Sequence, residues 1–177
     1  MKQRLRNLLF ILPVFIGQAP ASAFAYQASA STNIELTGTI VALGCTVDPG
    51  DMNKPVILGD WVTTQLKKAG DHTKPYAFSL HLTGCAVNGV TVAFSGQKDA
   101  HDATLLALDA EATAQGVAVQ IMDAKQNRIA MGDNAPEAVP DANGDATLNF
   151  FANYVSTQDR VTGGSASADT EFTLSYD

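Results

Sequence analysis

Basic residues are scarce in this chain: 11 Lys and Arg stand against 18 Asp and Glu, for a formal charge of −7. Three of the eleven, Lys2, Arg4 and Arg6, crowd the N-terminus. Past them, 8 basic residues face 18 acidic ones, a charge of −10. An acidic body with scattered Lys argues against nucleic acid or an anionic membrane surface as partner. Histidine is almost missing as well, with His72, His81 and His101 alone. Asp71-His72 and His101-Asp102 are adjacent pairs. Neighbours on an extended chain point opposite ways, so neither makes a base with its orienting acid. There is no GxSxG, HExxH, P-loop or Rossmann glycine pattern. Asp109 and Glu111 are spaced to share a strand face, but a lone acidic pair is ordinary on so acidic a surface. Neither catalysis nor a cofactor is expected.

Long apolar runs are missing too, with one short exception. Leu8–Gly17 (LLFILPVFIG) follows the basic start, is interrupted by Pro13, and precedes two small-x-small sites, Ala21-Ser22-Ala23 and Ala23-Phe24-Ala25. It is too short to span a bilayer and reads as a secretory signal over residues 1–23, with cleavage at 25 as the variant, rather than a retained anchor. No later segment is apolar enough to insert in a membrane. Cleavage leaves about 150 residues, the size of one domain.

Only two cysteines occur, Cys45 and Cys85. In an exported chain a disulfide between them is the default. Such a bridge closes a loop of roughly 40 residues and is worth near 4 kcal/mol in the chain-entropy account. Neither cysteine sits in a CxxC, which speaks against a redox role. His81 lies four residues before Cys85, but nothing else completes a tetrahedral metal site.

What the chain does have is short alternating segments bounded by Gly, Asn and Asp. They are Gly38–Val47, Val56–Leu58, Tyr76–Thr83, Val90–Ser95, Gly116–Met122, Arg128–Met131, Ala146–Tyr154 and Thr170–Tyr176. Phe78, Leu80 and Leu82 share one face, with Ser79 and His81 opposite; Val90, Val92 and Phe94 repeat the pattern. Asp123–Asn127 (DAKQN) reads as a hairpin turn, and Thr63–Lys68 and Leu105–Glu111 as short helical turns. Pro136–Gly144 reads as a polar loop. The spacing predicts an all-β sandwich.

The first strand is longer than the domain needs. From Thr32 the chain alternates through Ile34, Leu36, Gly38 and Ile40. Cys45 ties the end of this stretch into the domain, so the core-forming part needs only about residues 38–48. Ile34 and Leu36 then project ahead as a strand free for another chain. This divides the chain into residues 24–37, an extension that begins with the small, polar Phe24–Ser31 segment (FAYQASAS), and a domain over 38–177. The competing assignment makes Thr32–Ile40 the domain's own first strand, extended.

Several short pieces, in order, carry a resemblance. Gly38 precedes Cys45 by seven residues, and Cys45-Thr46-Val47 opens the domain. Val56-Ile57-Leu58-Gly59, Thr64 and Leu66, Phe78–Leu82 before Cys85, Gly116–Asp123 and Phe151–Tyr154 follow. Gly164 is fourteenth from the C-terminus and Tyr176 penultimate. Together they resemble pilin subunits of chaperone–usher fimbriae of the type 1 kind. The resemblance implies an incomplete immunoglobulin-like sandwich lacking its last strand, with a hydrophobic groove where that strand is missing. It implies a periplasmic pilus chaperone that fills the groove in transit. At an outer-membrane usher, a neighbouring pilin subunit then replaces the chaperone strand, and repetition builds a cell-surface fimbrium. Thr32, Ile34, Leu36, Gly38 and Ile40 would form the donated strand. Gly164, Phe172, Leu174 and Tyr176 would belong to the strand that lines the groove and pairs with the chaperone.

The competing class is a self-contained exported immunoglobulin-like module that binds carbohydrate or protein. Such a module should show a full set of strands and an aromatic-lined site. Trp61 is the only tryptophan, and Tyr26, Tyr76, Tyr154 and Tyr176 are scattered.

Overall fold

The longest strand in the fold, Ala146–Ser156, owes its position to alternation: Ala146, Leu148, Phe150 and Ala152 are buried while Thr147 and Asn149 are exposed. The computed structural model describes residues 44–177. Its strands are β1 (Thr46–Val47), β2 (Tyr76–Thr83), β3 (Val90–Ser95), β4 (Val117–Met122), β5 (Arg128–Ile129), β6 (Ala146–Ser156) and β7 (Glu171–Tyr176). A 3₁₀ turn covers Thr63–Gln65, shorter than the expected Thr63–Lys68. One sheet has the order β1-β2-β6-β4-β5, all antiparallel; the second pairs β3 with β7.

The two sheets enclose one apolar core. Leu80 and Leu82 from β2, Val119 and Ile121 from β4, and Leu148 and Phe150 from β6 meet Val90, Val92 and Phe94 from β3. Phe94 and Phe150 stand edge to face with centroids 5.0 Å apart, and Phe78 lies 5.5 Å from Phe150. Such pairs add to area burial by roughly 0.5–1.5 kcal/mol each. The register places Phe78 opposite Phe150 and Leu80 opposite Leu148, so one face of two neighbouring strands is apolar throughout. Cys45 and Cys85 form a disulfide that joins the residue before β1 to the start of the loop after β2.

The expected hairpin at Asp123–Asn127 joins β4 to β5. The Asp123 carboxylate accepts the N–H groups of Lys125 and Asn127, and Gln126 takes a positive φ of 62°. Of the expected Gly38–Val47 strand, residues 38–43 lie outside the described residues, and Thr46–Val47 pairs with β2. Two expectations need correcting. Val56–Leu58 belongs to no strand. Leu105–Glu111 holds no helical turn; instead Leu106 exchanges both backbone hydrogen bonds with Val119, each 2.9 Å. The reason lies in two adjacent leucines with different destinations. Leu106 joins the core between the sheets, while Leu105 packs with Ala118 and Val155. Extended backbone sends neighbours to opposite faces, which a helix cannot do.

Candidate functional site

β3 has neighbours on both edges. Its residues Val90, Val92 and Phe94 turn their backbone groups toward the 132–138 segment: Val90 exchanges hydrogen bonds with Ala138, Ala135 donates to Val92, and Gly132 donates to Phe94. Antiparallel ladders alternate, so Thr91, Ala93 and Ser95 face β7 and pair with Ser175, Thr173 and Glu171. The backbone groups of Phe172, Leu174 and Tyr176 therefore point away from β3. Among the described residues β7 has no neighbour on that side.

Beside this open edge runs a groove of about 1090 Å³. Its floor is apolar, made of Phe78, Leu80, Phe94, Leu106, Val119 and Ile121, with Ala152 and Tyr154 of β6. One bank is Phe172 and the preceding Ser165–Thr170 segment; the other is the loop from Asp51 to Asp60. That second bank contains Val56–Leu58, whose β-prone sequence has no ladder partner among the described residues. An apolar trough with unpaired backbone along it has the shape and the free hydrogen-bonding groups that an extended peptide requires.

The β7 bank is held from below and behind. The Tyr154 hydroxyl donates to the Ala166 carbonyl at 2.8 Å. Burial, and then the nearby Asp60 charge, push that hydroxyl's pKa up, so it stays a donor. Asp109 accepts the Asp169 N–H at 3.0 Å, and its own N–H donates to Ser167. Gly164 sits before β7 and outside the groove lining, against Thr113 and Ala114. A Cβ there would fall 2.3 Å from the Thr113 hydroxyl and 2.6 Å from the Ala114 nitrogen. The glycine thus sits where two backbones approach closely, away from the groove-lining residues. Tyr176 likewise does not line the groove: its ring covers Gly44, at 3.3 Å from where a Cβ would stand. Phe172 lines the groove, and Leu174 is half-buried against the core. Thr32, Ile34, Leu36, Gly38 and Ile40 lie outside the described residues.

The opposite bank is fastened by an arrangement that the sequence does not single out. Asp51 is 4% exposed, yet charged. Burial alone would raise its pKa, but hydrogen bonds from Lys54 and from the His81 N–H and ring pull it down to about 2. His81 donates its backbone N–H to Asp51 at 2.6 Å and holds the same oxygen through Nδ1 at 2.8 Å. Lys54 bonds the other oxygen and donates to the Ser79 carbonyl at 2.7 Å. Ser79 Oγ lies 3.3 Å from His81 Nε2, so the chain Ser–His–Asp has the order of a hydrolytic triad. Here the carboxylate is shared with Lys54 and with a backbone amide, and the arrangement is a brace between the loop and β2. Nothing in the periodicity ties Asp51 to His81, 30 residues away. Trp61 meets Tyr76 edge on, with centroids 6.3 Å apart, rather than offering a flat ring to a sugar. Among the described residues no group of three or more His, Cys, Asp or Glu is placed to hold a metal ion, and no helix is long and apolar enough to cross a membrane.

Comparison with known proteins gives a consistent answer. Residues 34–177 match the family model for fimbrial protein. The fimbrial-like protein FimF of Salmonella typhimurium is 47% identical over 145 residues, 81% of this chain and 83% of that protein. Long polar fimbria protein A of the same organism is 33% identical over the full length of both. Among solved structures, a type I fimbria protein of Burkholderia pseudomallei is 33% identical with a TM-score of 0.60, covering 75% of this chain and 89% of that one. The P pilus rod subunit PapA shares the fold, at 20% identity and a TM-score of 0.64 over 75% of this chain and 99% of that one. The immunoglobulin-like sandwich is thus a pilin sandwich, and the chain belongs to the fimbrial protein family as a structural pilin, not an enzyme.

Proposed function

We propose that this pilin polymerises by strand donation: its groove takes an extended segment from a neighbouring subunit, and its own residues 32–40 fill the groove of the next. The single observation carrying this reading is the apolar groove beside the unpaired edge of β7. An incoming strand would enter between β7 and Val56–Leu58 and satisfy backbone groups along β7. Ile34, Leu36 and Ile40 would each gain about 1.5–3 kcal/mol on burial, before ordering costs. Gly38, with no side chain, suits the point where the floor rises or two backbones meet.

An unfilled groove of this kind is an aggregation hazard. In this reading a periplasmic chaperone lends a strand during transit, after removal of the 1–23 signal, and an outer-membrane usher replaces it with the next subunit's 24–37 extension. The 38–177 domain then resides in the surface fimbrium. The test is deletion of residues 26–37. The truncated subunit should still be captured by its chaperone and still accept a strand, but it should cap a fibre instead of extending it. Polymerisation at the wild-type rate would overturn the assignment of the donated strand.

A further inference from the structure

The bank formed by Val56–Leu58 stays open although it has no ladder partner among the described residues, and its side chains do not explain why. Ile57 is 75% exposed, and Val56 and Leu58 are only half-buried. What fastens the segment lies at its two ends. At one end β1 stops at Val47, and the Asp51 carboxylate takes the His81 N–H farther along β2. Lys54 then joins Asp51 to the Ser79 carbonyl, just before Pro55. At the other end the Trp61 indole N–H donates to the Leu58 carbonyl at 2.7 Å. Trp61 itself leans on Tyr76 of β2. Gly59 between them turns with φ +76°, and a Cβ there would lie 3.0 Å from the Tyr76 hydroxyl. Both ends are thus anchored to β2 by side chains, and the three residues between are suspended.

We propose that Asp51 with Lys54, and Trp61, are positioning residues. They are two clamps that hold Val56–Leu58 as a pre-set second edge and so decide how long the groove retains its strand. This rests on the strand-donation reading above. The physical ground is preorganisation: a bank already extended need not be ordered when a strand arrives. A bank cut loose must be ordered at that moment, which weakens retention while leaving the core beneath intact.

The test uses the disulfide-bonded chain and a fluorescent peptide of residues 32–42, with peptide release followed by anisotropy and backbone order by nitrogen-15 relaxation. Trp61→Phe keeps the ring and removes one donor. It should speed release about fivefold, the equivalent of about 1 kcal/mol. Asp51→Asn and Lys54→Met should each speed it about tenfold, while Arg128→Gln on β5, at the far edge of the sheet, should leave it unchanged. In the empty chain the same clamp variants should lower the backbone order parameters of residues 56–58 and leave those of β2 and β6 unchanged. Release at the wild-type rate in all three clamp variants overturns the proposal. So does a loss of order spread evenly through β2 and β6, which would mark a merely structural role. If the wild-type chain does not hold the peptide, strand donation itself fails; the clamps then fail separately if the order of 56–58 is unmoved in the variants.

Discussion

Replacing Asp51 with Asn should cost stability at neutral pH and almost none in strong acid. Asn has nearly the same volume and keeps an acceptor for the His81 N–H, but it lacks the negative charge and the second acceptor that holds Lys54. The carboxylate's pKa falls from 3.8 in an unstructured chain to about 2 in the fold, pulled down by Lys54 and His81 against the opposing effect of burial. At 1.36 kcal/mol per pKa unit the difference is about 2 kcal/mol. The sign follows from which state holds the proton. The folded pKa is depressed, so the contribution is fully present above about pH 4 and is lost as pH falls through about 2. The assay is guanidinium unfolding with the disulfide intact, followed by far-UV circular dichroism, for both proteins at neutral pH and at about pH 2. Both will lose stability in acid. Asp102, for one, is held below its ordinary value by the Thr104 hydroxyl and N–H, against burial, and by Arg128. The difference between wild type and variant removes that shared part. A gap that persists unchanged at low pH, or no gap at neutral pH, would refute the account of Asp51 as a paired, ionised brace.

Phe150→Ala removes the centre of the aromatic group with Phe78 and Phe94, and should cost about 3–5 kcal/mol in denaturant unfolding. Gly164→Ala drives a methyl group into Thr113 and Ala114; a loss of about 1–3 kcal/mol is expected by the same measurement, with partial recovery when Thr113 is also made Ala. Cys45→Ser with Cys85→Ser opens the 40-residue loop and should cost about 4 kcal/mol, read as a fall in the guanidinium midpoint.

How legible the molecule is in its sequence depends on whether a residue's partner lies in the same pattern. Tyr76–Thr83 and Val90–Ser95 carry several full periods of alternation, and both strands run over those very residues. Ala146–Ser156 extends two residues past its expected end because Val155 finds a second apolar cluster on the outer face, a burial that period-2 reasoning for one core does not foresee. The same outer cluster explains the misread segment at Leu105-Leu106. The brace is invisible for a different reason. Asp51, Lys54 and His81 look like surface residues one by one, and their meeting depends on where the loop after β1 comes to rest.

Val56–Leu58 and β7 together explain why one wall of the groove could be foreseen and the other could not. Both segments have the composition of interior strands. β7 alternates exposed and half-buried residues instead of exposed and fully buried ones. Val56–Leu58 has the β-prone residues of a strand and no ladder partner among the described residues. A sequence pattern records the burial a strand has in its final assembly, whereas the single chain records only the burial it can achieve alone. Where the two disagree on facing banks of one apolar trough, the proposed assembly supplies the missing neighbour as a strand entering between them. In that proposal the spare alternation at Ile34, Leu36 and Ile40, ahead of the disulfide, is the segment that would fit there.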